Sequence, residues 1–160
     1  MAKGAFKIVL MKRADIRACN EITAVSDPWK TLNERIDFAP YIGLKQAYVC
    51  TNGEGPAGFV IFTPEPVFAR GGYLRAIGVA PAMRGRGLGS ELMTFAEQTT
   101  SRLSPNFYLC VSSFNREAQA FYKKLGYAKT GELPGLIVPD ESEYIYWKRL
   151  RPLPQPDGSS

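Results

Sequence analysis

Residues 84–89 read Arg-Gly-Arg-Gly-Leu-Gly, three glycines and two arginines immediately ahead of an amphipathic run. The first turn of a helix leaves about four N–H groups without partners, and the helix dipole makes that end positive. Such an end attracts phosphate oxygens. Glycines let the backbone lie against a ligand with no Cβ between them, and Arg84 and Arg86 can add charge-assisted hydrogen bonds. The stretch is not a P-loop, because no Gly-Lys-Ser/Thr follows Gly85 at the required spacing. It is not a dinucleotide fingerprint either. Counted from Gly85 and Gly87 the third glycine position holds Ser90, and counted from Gly87 and Gly89 it holds Leu92. The pattern that fits is Arg-x-x-Gly-x-Gly, from Arg84 to Gly89, between a strand and a helix.

Other chemistry is restricted by what the chain lacks. Histidine is absent from all 160 residues, which excludes Ser-His-Asp and Cys-His catalysis and His-based zinc sites. Proton transfer must come from Asp, Glu, Tyr, Lys, Cys or water. Cys19, Cys50 and Cys110 are widely spaced and odd in number, with no metal or redox spacing, so all three read as reduced and buried. No metal site is expected. The net charge of +5 comes from scattered basic residues with a small cluster at Lys148, Arg149 and Arg151. No aromatic-basic motif accompanies it, so no nucleic-acid partner is expected, whereas a phosphorylated small molecule suits a basic surface. No run of about 18 apolar residues exists and the first residues lack a secretory pattern. A cytoplasmic protein with no membrane contact is the expectation.

The elements that would position these groups can be read from periodicity. Strands are predicted at 6–12, 46–51, 56–63, 71–81, 106–113, 127–133 and 142–150. Asn52-Gly53 marks a hairpin between the second and third. Gly78, inside the fourth, marks a bulge or a close approach by another backbone or a ligand. Helices are predicted at 14–26, from Asp27-Pro28 through Ile36, at 88–103 and at 115–126. In the third, Leu88, Leu92, Phe95 or Ala96, Thr99 and Leu103 recur at helical spacing. In the fourth, Asn115 reads as the N-cap, Glu117 complements the dipole and Gly126 ends the helix. Ala118, Phe121, Tyr122 and Leu125 form its apolar stripe. The loop 133–141 reads as flexible, and residues 151–160 as a disordered tail after one domain at 1–150. The result is an α/β sandwich with strands of mixed direction.

Two motifs at this separation resemble the GCN5-related N-acetyltransferase (GNAT) superfamily. Arg84 to Gly89 resembles its pyrophosphate-binding signature, "LRAIGVAP" its bulged strand ending in Val-x-Pro, and "LCVSSFNREAQAFYKKLGY" its second signature, over about Tyr73 to Tyr127. The resemblance implies a mostly antiparallel sheet of about seven strands with a splayed parallel pair and about four flanking helices. It implies acetyl-CoA as cosubstrate in the gap between 73–79 and 106–112. Ile77, Gly78 and Val79 would serve the pantetheine arm and the acetyl carbonyl. Arg84, Gly85, Arg86, Gly87, Leu88, Gly89 and Ser90 would surround the pyrophosphate, and Asn115 and Tyr122 would contact the coenzyme.

The implied reaction moves an acetyl group to a primary amine. A backbone N–H at the strand bulge would stabilise the oxyanion, and Tyr122 would protonate the leaving thiolate as general acid. Tyr122 is otherwise one more aromatic of the helix stripe, and Asn115 serves as cap, ligand or both. Family members acting on ribosomal-protein N-termini often carry Leu-Glu-Val where this chain has Leu109-Cys110-Val111, so Cys110 stands in place of that glutamate. Glu34, foremost, Asp37 and Glu65 remain as base candidates, or water carries the proton. Trp29 reads as core, Phe38 and Tyr41 fit core or acceptor pocket, and Tyr144 and Tyr146 could face the acceptor cleft. The implied partner is an amine on a protein or a small molecule, and a homodimer stays open. A non-catalytic acyl-CoA-binding or sensory domain on the same scaffold is the alternative, and a nucleic-acid-binding module the third.

Overall fold

The computed structural model describes residues 5–157. Its elements are β1 (Lys7–Leu10), α1 (Ile16–Ala24), α2 (Trp29–Leu32), α3 (Ala39–Gly43), β2 (Ala47–Thr51), β3 (Pro56–Phe68), β4 (Gly71–Val79), α4 (Leu88–Ser101), β5 (Asn106–Ser112), α5 (Arg116–Lys124), β6 (Ala128–Pro134) and β7 (Ser142–Arg149). Two short 3-10 turns, Arg13–Asp15 and Pro81–Met83, precede α1 and α4. The seven strands form one sheet in the order β1-β2-β3-β4-β5-β7-β6. Every neighbouring pair is antiparallel except β4 and β5, which run parallel because α4 carries the chain back between them.

Alternation along the strands divides the molecule into two layers. On one side Val60, Phe62, Leu74, Phe107, Leu109, Val111 and Tyr146 pack under α4 and α5, which contribute Leu88, Leu92, Met93, Ala96 and Tyr122. On the other side Val49, Phe59, Ile61 and Ala76 pack under Cys19 and Ile22 of α1 and Phe38 at the start of α3. Glu97 of α4 accepts from Lys148 Nζ at 2.7 Å and from Tyr127 Oη at 3.1 Å, tying the long helix to β7 and the chain after α5.

Several expectations need correction. The second helix ends after one turn, where Asn33 turns left-handed at φ 52°, and a further short helix, α3, follows. The buried stripe of α4 is Leu88, Leu92, Met93, Ala96 and Thr100, while Leu103 lies beyond the helix and is 53% exposed. β3 continues through Pro64 and Pro66 to a tight turn at Ala69-Arg70, both left-handed. The 133–141 loop is closed by the Gly135 N–H donating to Glu141 O at 2.9 Å and the Glu141 N–H to Val138 O at 3.3 Å. Residues 152–157 are exposed and carry no regular structure; 158–160, the rest of the expected tail, lie outside the described residues.

Candidate active site

The parallel pair holds together only over its first half. Gly71 to Leu74 pair with Asn106 to Leu109, and the pairing stops there. Beyond that point β4 stays on β3 as far as Val79, and β5 stays on β7 as far as Ser112. The strands therefore part, and a cleft of about 720 Å³ opens between them. The Ala80 N–H donates to Ala57 O at 2.8 Å. By strand alternation the main-chain groups of Gly78 also point to β3, and those of Ile77 and Val79 point into the gap. The bulge sits at Arg75, because Ile61 pairs with Ala76 while Phe62 pairs with Leu74. Gly78 is regular instead: a Cβ there would lie 2.7 Å from the Phe59 ring and 3.1 Å from Ile22 Cγ2, so it is needed for the packing of α1.

At the rim of the cleft the three glycines act differently. Gly85 and Gly87 are left-handed, at φ +75° and +80°, with open space around them. Gly89 lets α5 approach: a Cβ there would lie 3.3 Å from Phe121. The helical ladder of α4 starts with the Glu91 N–H donating to Gly87 O at 3.0 Å. Among the described residues, none of the six N–H groups from Gly85 to Ser90 donates to another protein group. Donors this dense, half of them on glycines and at the positive end of a 14-residue helix, suit a diphosphate. Gly85, Gly87, Leu88, Gly89 and Ser90 line the cleft, and the Arg86 side chain does not. Arg84 lines it but is engaged, donating from Nε to Val79 O at 3.2 Å and from Nη2 to Ser26 Oγ at 2.9 Å.

α5 supplies the opposite wall. Asn115 caps it, its Oδ1 accepting the Ala118 N–H at 3.3 Å, and also lines the cleft. Gln119 Nε2 donates to Ser112 O and Ser113 O, at 3.1 and 3.0 Å, fixing the helix on the end of β5. Tyr122, two turns along, is 7% exposed, lines the cleft and packs against Tyr127 and Tyr146. Burial pushes its phenol well above the ordinary range, so it carries its proton throughout the neutral region.

The side of the sheet under α1 to α3 carries Glu143 and Tyr73, which the sequence did not single out, beside Cys110, which it did. Glu143 of β7, also 7% exposed, lines the cleft, and Oε1 accepts from Ser112 Oγ at 2.5 Å. Burial raises its carboxyl above the usual range, the Ser112 bond works against that, and the charge of Glu34 adds to it. Burial raises the Tyr73 phenol, the neighbouring Cys110 and Glu143 add to that, and Arg75 works against it. Cys110 is half-buried and lines the cleft, not sealed in the core as expected, and burial raises its thiol. The signal for Glu143 was a lone acid sharing strand parity with Ile145 and Trp147, which acquires meaning only once β7 is known to be interior.

The other sequence candidates fall apart in space. Glu34 is exposed after α2 and outside the cleft lining, reaching it only through its effect on Glu143. Asp37 accepts the Ala39 N–H at 3.2 Å and borders a side groove of about 270 Å³. Glu65 is exposed near the β3–β4 turn, at the far end of β4 from the cleft rim. Tyr144 and Tyr146 face the α4–α5 layer rather than the acceptor side. Tyr146 is fully buried, and Lys129 Nζ sits 3.5 Å over the Tyr144 ring. Trp29, expected as core, lines both the cleft and the groove while touching Phe59; Phe38 is core, and Tyr41 lines the groove.

A parted parallel pair, a glycine-rich helix start facing it and a second short helix on the far wall define an acyl-coenzyme A transferase. Residues 14–127 match the profile of the Acetyltransferase (GNAT) family, and the chain belongs to that family. It is 28% identical over 127 residues to the peptidyl-lysine N-acetyltransferase YjaB of Salmonella typhimurium, covering 78% of this chain and 77% of that protein. Its fold is that of Ard1 from Thermoplasma volcanium, with a TM-score of 0.77 at 23% identity over 92% of this chain and 99% of that one. It is also that of yncA of Salmonella typhimurium, solved with acetyl-CoA, with a TM-score of 0.72 at 17% identity over 97% and 99%. The protein is an acetyl-CoA-dependent acetyltransferase acting on an amine. No helix among the described residues is long and apolar enough to cross a membrane.

Proposed function

We propose that this protein acetylates a primary amine by direct attack, with donor and acceptor held together in the cleft. The observation that carries this reading is the parting of β4 from β5 beside six amide groups without partners. Acetyl-CoA supplies an activated thioester when bound. The chain supplies the rest. Amides from Gly85 to Ser90 hold the diphosphate, and Arg86 adds charge outside the contact zone. Ile77 and Val79 direct main-chain groups at the pantetheine arm, with one lone pair of Val79 O already taken by Arg84. Asn115 joins the cap of α5 to the cleft wall.

Tyr122 holds a proton on the α5 side, where the sulfur leaves. The burial that raises the phenol raises the proton affinity of a thiolate in the same place, which keeps the donation within reach. The amine approaches from the other side, where Cys110, Ser112 and Glu143 line the cleft. Glu34 acts there through its field rather than by contact.

A thiol-release assay with a panel of amines tests the reading, beside calorimetry with coenzyme A. The panel includes a lysine-containing peptide, because the YjaB relative is named for peptidyl-lysine. Coenzyme A binding with amine-dependent thiol release is the expected result. Binding without turnover on any amine supports the non-catalytic alternative, and no binding at all overturns both.

A further inference from the structure

Beside Asp27 and Lys30 of the α1–α2 region, the acceptor side of the cleft carries Arg75 and Glu143, and neither of these two is neutralised by an ion pair among the described residues. Arg75 is the extra residue of the β4 bulge, the device by which a strand re-aims a side chain. Its guanidinium lies 5.4 Å from the Tyr41 ring centroid and 5.8 Å from that of Tyr73. Aromatic contacts of this kind hold a guanidinium in place without satisfying its hydrogen-bond donors. Arg75 lines both the cleft and the side groove, whose walls include Trp29, Ile36 and Tyr41. An exposed arginine inside an otherwise apolar strand, held at the junction of two cavities, is placed to meet an anion.

Glu143 is the opposite pole. Only one of its carboxylate oxygens is engaged, by Ser112, and neither is sealed from solvent without a partner. The groups facing it are Ser112 and Cys110 of β5, Tyr73 of β4 and Glu34 after α2. Glu143 belongs to the layer opposite Tyr122, because Ser112, its partner, alternates with Val111 of the α5 layer. Proton removal from the amine and proton delivery to the sulfur therefore fall on opposite faces of the gap.

Resting on the function proposed above, we infer that the acceptor is a small molecule carrying both an amine and a carboxylate, as an amino acid does, with Arg75 pairing the carboxylate and Glu143 taking the amine's proton. Of three ammonium protons, one passes to Glu143 and on to water, and one stays on the new amide. The third replaces the proton that Tyr122 gives the sulfur. The freed nitrogen lone pair forms the C–N bond as the C–S bond breaks, its electron pair leaving on sulfur.

The test compares free amino acids with their amides in thiol release, using the wild-type protein, and measures acceptor binding by calorimetry. The acid is expected to exceed its amide by about tenfold or more in kcat/KM, the scale of one charge-assisted pair. Arg75→Gln removes that preference by raising KM for the acid, with kcat little changed, and Arg75→Lys restores part of it. Glu143→Gln lowers kcat by about a hundredfold, flattens the acid limb of the pH profile and leaves calorimetric acceptor binding in place. Turnover of amines with no acid-over-amide preference, or acetylation of peptides but not free amino acids, overturns this inference alone. Thiol release from no amine while coenzyme A binds instead removes the function it rests on.

Discussion

The two halves of the cleft are made of different material. On the function proposed above, the coenzyme half is built from main chain: the amides of residues 85–90, the exposed edge of β4 and the capped start of α5. The acceptor half is built from side chains of Trp29, Tyr73, Arg75, Cys110, Ser112 and Glu143, which come from the α1–α2 region and three strands. Any residue can supply an amide, so holding a diphosphate constrains only where the backbone must be bare and left-handed. That constraint falls on neighbours in sequence. Meeting an amine demands particular side chains, and these converge from positions as far apart as Trp29 and Glu143.

If that division is right, damage to the two halves separates binding from turnover. The largest effect is expected from Tyr122→Phe: kcat falls by about a hundredfold or more while coenzyme A affinity stays within a few fold. Unchanged kcat would leave Tyr122 as a packing residue between Tyr127 and Tyr146. Gly87→Val is the complementary break. It forces a β-branched residue to φ +80° and sets bulk over the amides, so the Kd for coenzyme A should rise by about a hundredfold in calorimetry. An unaltered Kd would mean that the turn does not touch the coenzyme.

Smaller effects sharpen the comparison. Asn115→Ala removes a cap on the coenzyme side and should cost about 1 kcal/mol, seen as a fall of roughly 2–4 °C in Tm. A fall in coenzyme A affinity beyond that expected from the loosened helix would add a ligand role. On the acceptor side, Glu143 holds its proton more tightly folded than unfolded. Between the ordinary carboxyl value and the raised one the folded chain binds more protons, so stability declines as pH rises through that window. Glu143→Gln should therefore gain in Tm relative to wild type as pH rises from the ordinary carboxyl value. A difference independent of pH would show an ordinary carboxyl.

How much could be read in advance follows the same division. The strand order along the chain, the α4 and α5 stripes, the Asn115 cap and the glycine-rich turn were all legible, because each depends on residues within a turn or two of one another. The short α2 and the presence of α3 were not, since both depend on how Phe38 and Trp29 reach Phe59. Gly78 pointed to a bulge or a close approach by another backbone or a ligand; the bulge lies at Arg75, and what approaches Gly78 is the side chains of Phe59 and Ile22. Glu34, Asp37 and Glu65 were picked by segment, and none of them lines the cleft.

By itself, then, the sequence determined a bare, left-handed glycine turn and the helices around it, because φ preference, capping and amphipathic period are local properties. The tertiary structure alone decided which acid faces the cleft and where Arg75 points. Side-chain direction on a strand depends on register, and register depends on partners far away in the chain. A one-residue bulge in β4 and the interior place of β7 therefore brought Arg75 and Glu143 to one cleft, a juxtaposition that no short stretch of sequence displays.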